Sequence, residues 1–215
     1  MGSFIIPYMS VPLPKTGYLL ALTGPSGVGK STISRLLASV LPERVALIPI
    51  LTTRGPKPGD EGEYRHITLQ EMSSLKEQGK LAAHTCIPSS SEFRYYAYLQ
   101  SDIEQAWMIG KLPVIITEST LLQQLADTFG RRAILSFGLL PPGKSRRAML
   151  SHLLFRLRGR GRETEAQIED RLKNAVDDLA FFGLREDLFN RLLVNDDPKV
   201  VVGELRQAVP QLANA

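Results

Sequence analysis

Residues 24–31 of this chain read Gly24-Pro25-Ser26-Gly27-Val28-Gly29-Lys30-Ser31, and what flanks them fixes what they can be. The apolar run Tyr18-Leu19-Leu20-Ala21-Leu22 precedes them, and Thr32-Ile33-Ser34-Arg35-Leu36-Leu37, with helical apolar spacing, follows. Strand, glycine-rich turn and helix in that order frame a phosphate-binding loop. Gly24, Gly27 and Gly29 let the backbone wrap closely enough for N–H groups between Ser26 and Thr32, Val28 among them, to face phosphate oxygens. Lys30 is placed to neutralise the β and γ phosphates, and the Ser31 hydroxyl to hold Mg²⁺, at the start of a helix whose dipole favours anions. A plain glycine turn would not require Lys and then Ser at these positions, so the segment predicts binding of a nucleoside triphosphate.

The remaining sequence predicts an α/β protein, a parallel sheet flanked by helices. Strands are expected at about 18–23, 45–51, 113–118, 133–139 and 192–195, with Pro49 weakening the second. Helices are expected at about 30–40, 68–79, 102–110, 146–182 with an interruption at Gly159-Arg160-Gly161, and 200–208. Strands that alternate with helices imply a parallel sheet covered on both faces. Residues 81–100 predict strands of a small side subdomain, and Arg54 to Gly62 is too rich in Gly and Pro for regular structure. At 215 residues the chain fits one core with appended subdomains over 18–215, after a loose N-terminal extension at 1–17.

Charge narrows the partners. The formal net charge of +4 is too modest to argue for nucleic acid, and no apolar run approaches the ~20 residues needed to span a bilayer. The single cysteine, Cys86, allows no intramolecular disulfide and suits a reducing, cytoplasmic setting; a lone cysteine is usually a small buried hydrophobe. His66, His84 and His152 have no metal-ligand spacing. Trp107, Phe181 and Phe182 fall on helical apolar faces and predict core positions.

Two further groups of residues carry chemistry. Thr52-Thr53-Arg54, with Lys57, Gly59, Asp60, Gly62 and Tyr64, puts two cations and a phenol on one loop, suited to a second phosphate-bearing molecule, since Arg grips phosphate bidentately. A solvated loop with an incidental charge pair reads equally well from these residues alone. Arg156, Arg160 and Arg171 lie in the glycine-interrupted helical region, where they could swing over the site and spread positive charge across a transferring phosphoryl group. Arg146, Arg147 and Arg162 read better as a solvent-facing basic face. Glu118, at the end of the central strand, points to a Mg²⁺-water or acceptor contact.

Together these segments resemble the guanylate kinase family from about Gly17 to the C-terminal helix. The resemblance rests on the phosphate loop through Thr32, on Thr52-Thr53-Arg54-Gly55-Pro56-Lys57-Pro58-Gly59-Asp60 and on Tyr95-Tyr96. It continues through Arg156-Leu157-Arg158-Gly159-Arg160-Gly161 with Arg171, and closes with Val194-Asn195-Asp196-Asp197. It implies a P-loop core, an acceptor-binding subdomain at about 50–100, a helical lid at about 156–171, and transfer of the γ-phosphoryl group of ATP, with Mg²⁺, to a nucleoside monophosphate, GMP or dGMP first. By that resemblance Arg54 and Lys57 hold the acceptor phosphate beside Tyr64 and Tyr96, with Glu118 nearby. Lys30, Arg54, Arg160 and Arg171 serve the transfer, Asn195 sits near the ATP base, and the protein works as a monomer or homodimer.

The departures gather at the guanine pocket. Ile50 stands where the family has serine, Ala83 where it has a glutamate that pairs with the guanine edge, Ala97-Tyr98 where it continues Gly-Thr or Gly-Ser, and Ile116 at one of two acidic positions. A polar pocket discriminates because the wrong base leaves buried groups unpaired, and Ile50 and Ala83 remove that logic. Three alternatives therefore stand beside GMP: another phosphorylated acceptor, such as a different nucleotide or a pentose phosphate; His84 or Glu92 taking over the missing contact; and a non-catalytic binding module. Restoring polarity with Ile50→Ser and Ala83→Glu is expected to favour GMP.

Overall fold

The computed structural model describes residues 17–88, 93–161 and 163–212. Most of the N-terminal extension, Arg162, Glu92 and the serine turn 89–91 therefore lie outside the described residues.

The elements run β1 (Leu19–Thr23), α1 (Lys30–Val40), β2 (Val45–Leu47), β3 (Ile50–Thr52), β4 (Tyr64–His66), α2 (Leu69–Glu77), β5 (Leu81–Pro88) and β6 (Phe93–Leu99) in the first half. They continue α3 (Gln100–Met108), β7 (Leu112–Thr117), α4 (Ser119–Phe129), β8 (Ile134–Leu140), α5 (Arg146–Gly159), α6 (Glu165–Leu184), β9 (Arg191–Val194) and α7 (Pro198–Ala208). The main sheet has the order β2-β7-β1-β8-β9, and every pairing in it is parallel. The expected fold is borne out. A second sheet, β4-β3-β6-β5, is mixed, with β3 parallel to β4 and antiparallel to β6.

β1 lies at the centre, buried along its whole length. Its side chains alternate between two cores: Leu20 and Leu22 pack with Ile33 and Leu37 of α1 and with Val201 and Leu205 of α7, while Leu19 and Ala21 pack with Ile103 of α3 and Leu121, Leu122 and Leu125 of α4. This period of two, read on both faces, is why a continuous apolar run suits a central parallel strand. Each fully buried Leu or Ile contributes about 1.5–3 kcal/mol, so the strand that aims the phosphate loop is among the most firmly held parts of the molecule. β7 and β8 flank β1 on opposite sides, so the chain changes direction across the sheet at the carboxyl end of β1, where open α/β sheets form their ligand crevice.

Three local findings correct or refine the sequence reading. The run 45–51 is two strands, because Pro49 cannot donate a ladder bond and the chain leaves the main sheet there to enter the second as β3. Two elements were not anticipated, the three-residue β4 and the α4 helix that Glu118 caps. Phe182 is buried, and Trp107 and Phe181 pack against the α3/α4 core, whereas Cys86 is exposed on β5 near the end of the β5–β6 hairpin. The helix starts at Thr68 and Thr164 carry capping boxes, with Glu71 and Gln167 closing them.

Candidate active site

The phosphate loop is held from below. Gly29 (φ +107°) caps α1 in the left-handed region, and a Cβ there would collide with the Asn195 amide. Gly27 (φ +89°) faces the base of α5, where a Cβ would lie 3.1 Å from Leu157. Both positions therefore need glycine twice over, for backbone conformation and for space. Asn195 is buried, donates Nδ2 to the Val28 carbonyl at 2.6 Å, and leaves Oδ1 buried with no hydrogen-bond partner among the described residues. Arg156 donates to the same Val28 carbonyl at 3.1 Å and to the Asn195 carbonyl at 2.8 Å. Asn195 and Arg156 thus brace the loop. The Val28 N–H is itself turned inward, onto the Pro25 carbonyl at 3.2 Å.

Lys30 closes the loop, donating to the Gly24 carbonyl and to the Pro25 carbonyl at 3.1 Å. Burial lowers its pKa; Asp178 and Glu63 oppose this, and Arg171 and Arg160 push the same way as burial. Arg171 and Arg160 therefore both act electrostatically at Lys30. Arg171, on α6, donates to the Ser26 hydroxyl and pairs with Glu163 at 3.2 Å. Arg160 caps α5, next to the Gly161 turn (φ +61°).

The loop after β3 carries the second cationic group. Arg54, buried with only 8% of its surface exposed, forks onto both oxygens of Asp60 at 2.7 and 2.8 Å and lies 4.4 Å over the Tyr64 ring. Burial disfavours its charge, but the Asp60 contact overrides it and raises the guanidinium pKa. Lys57 is exposed, yet its pKa falls, through desolvation and then through Arg54, Arg94 and Arg171. The Lys57 ammonium thus lies within electrostatic reach of Arg54, Arg94 and Arg171, so a cation from each of the two expected groups acts on it. Burial and Glu63 push the Tyr64 phenol up to about 12, so it stays a neutral donor.

The Glu118 carboxylate accepts from the N–H groups of Thr120 at 2.9 Å and Leu121 at 2.8 Å, capping α4. Tyr96 is half-buried opposite Thr52 in the β3–β6 register. Three groups at the site escaped the sequence reading. Arg94 had no partner pattern to mark it, and Glu63 no signal beyond preceding Tyr64. Asp178 lies seven residues after Arg171 and so on the same helix face, a spacing that could have found it. Its pKa is raised to about 6 by burial, against the pull of Lys30 and with the push of Glu118.

Tyr98 entered the sequence reading only as a departure beside Ala97. Fully buried, it donates its hydroxyl to the Ile116 carbonyl at 2.6 Å and accepts from the Ile116 N–H at 3.0 Å. With Leu47, Ile48, Ile50, Val114 and Ile116 it lines an apolar cavity of about 80 Å³ rimmed by Ser34, Arg35 and Glu63. Ala83 pairs with Tyr98 across β5–β6 and is buried with it. His84 pairs with Ala97 on the following position, half-buried and sensing Lys76 of α2, so it does not stand in for a polar group at Ala83.

A parallel α/β sheet with a glycine-rich phosphate loop at the end of its central strand, overhung by helix-borne arginines, defines a P-loop nucleotide-binding protein. The guanylate kinase family model matches residues 16–212. The guanylate kinase of Trichormus variabilis is 34% identical over 188 residues, covering 86% of this chain and 85% of that protein, and the guanylate kinase of Rhodospirillum rubrum is 28% identical over 196 residues, covering 90% and 83%. A crystal structure of guanylate kinase from Anaplasma phagocytophilum shares the fold, with a TM-score of 0.65 at 18% identity over 92% of this chain and 85% of that one. The chain belongs to the guanylate kinase family. No helix among the described residues is long and apolar enough to cross a membrane.

Proposed function

We propose that this protein transfers the γ-phosphoryl group of ATP to the phosphate of GMP, giving GDP and ADP, in the manner its relatives' name describes. The observation that carries the reading is the glycine-rich loop at the ligand crevice of the sheet, with Lys30 on its carbonyls and Arg171 of α6 on its Ser26 hydroxyl. Two phosphate-bearing molecules brought end to end in such a crevice would have their charges neutralised by these cations, and in-line transfer depends on positioning and charge, with no covalent intermediate.

In this reading Gly24 to Thr32 hold the ATP phosphates, Lys30 leaves the loop carbonyls for the β and γ oxygens, and Arg160 and Arg171 neutralise the transferring group. Arg54 and Lys57 orient the acceptor phosphate, with Tyr64 and Tyr96 as hydroxyl donors. Residues of about 50–100 act as the acceptor-binding subdomain and the α5–α6 junction, about 156–171, as the lid. The site suits Mg²⁺, because the Ser31 hydroxyl and a Glu63 carboxylate oxygen lie 2.7 Å apart, both hard oxygen donors. Held there, Mg²⁺ would supply positive charge against the charge that develops in the transfer. Ser31 would hold it at the first turn of α1. A cytoplasmic monomer or homodimer is the setting in which we place this activity.

A coupled ADP-release assay with ATP and GMP tests the reading: turnover is expected in the parent and not in Lys30→Ala. Full activity of Lys30→Ala would overturn it. The apolar lining by Ile50, Tyr98 and Ile116 favours a second reading, a different phosphorylated acceptor, and the same assay run over nucleoside monophosphates and pentose phosphates separates the two.

A further inference from the structure

One carboxylate joins the acceptor loop to the phosphate loop. Glu63 accepts from the Ser31 hydroxyl at 2.7 Å through one oxygen and from Arg35 Nη2 at 2.9 Å through the other, and its side chain is 11% exposed. Arg35 also donates to the Gly59 carbonyl at 3.1 Å, so both ends of the turn 59–63 rest on α1. The Glu63 backbone is fixed as well: its N–H donates to the Asp60 carbonyl at 3.0 Å and its carbonyl accepts from Ile50 N–H at 2.8 Å. This carboxylate stands beside Ser31, where phosphate oxygens are to gather, and a negative group there repels them unless a cation lies between. The Ser31–Glu63 oxygen spacing of 2.7 Å is close to the roughly 2.9 Å edge between neighbouring ligands of an octahedral Mg²⁺ with bonds of 2.0–2.1 Å.

Resting on the phosphoryl-transfer reading above, we propose that Glu63 joins Ser31 as an oxygen ligand of the nucleotide's Mg²⁺, directly or through one metal-bound water. The acceptor loop that carries Arg54 and Lys57 is then registered against the donor by the metal, and the metal–nucleotide complex, but not the free nucleotide, favours the loop position seen here. Glu63 would be a positioning residue for the acceptor as well as a metal ligand.

The test is calorimetric titration of the full chain with a non-hydrolysable ATP analogue, in Mg²⁺ and in EDTA. Glu63→Gln should lose about tenfold or more of the affinity that Mg²⁺ adds, the scale seen when groups around a metal are removed, while its affinity in EDTA stays level or rises. Arg35→Met removes the neighbouring loop contacts but leaves the carboxylate, and should keep the Mg²⁺ gain. An undiminished gain in Glu63→Gln, or an equal loss in Arg35→Met, overturns the proposal and leaves phosphoryl transfer standing. A parent that binds the analogue in neither buffer overturns both.

Discussion

The Tyr98 hydroxyl serves Ile116 twice, accepting its N–H at 3.0 Å and donating to its carbonyl at 2.6 Å. Ile116 lies on the edge of β7 beyond the point where β2 has left the main sheet, so a side chain from the second sheet replaces the missing strand. Tyr98→Phe keeps the packing and strips both partners. It should destabilise the fold by about 1–3 kcal/mol, the cost of leaving buried backbone groups unpaired, read by urea unfolding. A loss near zero would mean that Ile116 finds other partners.

The same residue bears on acceptor choice. Because Ile50, Ala83 and Tyr98 are all buried, Ile50→Ser with Ala83→Glu alone would force a carboxylate against the Tyr98 ring, and the double variant expected to restore GMP preference lacks the room. The parent should discriminate GMP from AMP by well under the ~10⁴-fold of hydrogen-bonding pockets, and adding Tyr98→Ser to the pair should raise kcat/KM for GMP selectively. A parent already highly selective for GMP would show that another group reads the base.

If Arg171 serves the transferring group as proposed, Arg171→Ala should lower kcat on the order of 10³-fold with ATP and any acceptor, since that group is common to all. Arg54→Ala should instead raise the KM of every acceptor alike. Steady-state kinetics across several monophosphates distinguish the two. Loss confined to one acceptor would assign the altered residue to base recognition.

Asp178 gives the pH dependence. Its folded pKa, about 6, lies above the ordinary 3.8, so the folded state binds this proton more tightly. The sign follows: no differential exists below pH 4, stability is lost as pH rises from 4 to 6, and the penalty is constant above, at about 3 kcal/mol by the 1.36 kcal/mol per unit relation. Asp178→Asn should therefore gain stability over the parent at pH 7 and little at pH 4, measured by denaturant unfolding. Equal effects at both pH values would show that Asp178 titrates normally.

Much of this was legible in the sequence because it is local. The phosphate loop, the bounds of α1, and the gap between α5 and α6 follow from glycine geometry, apolar period and caps, which are properties of neighbouring residues. The bracing by Asn195 and Arg156 was not legible, since it depends on pairs 167 and 128 residues from Val28. Nor was the exposure of Cys86, because neither period nor composition tells which end of a hairpin protrudes. The acceptor-side departures were visible as substitutions, but only Tyr98 in place shows that they fill space as well as remove polarity.

The split of residues 45–52 at Pro49 makes one chain segment the shared axle of both sheets. Arg54 is five residues from that axle, a lever of roughly 16 Å at strand rise, so a turn of the second sheet by about 10° sweeps its guanidinium by about 3 Å while β2 stays seated. That travel is of the order of one hydrogen bond, so it would shift the Arg54–Asp60 fork only by straining the Ser31–Glu63 and Arg35–Gly59 contacts that tie the turn to α1. The angle between the two sheets thus turns on a single residue that cannot donate a hydrogen bond.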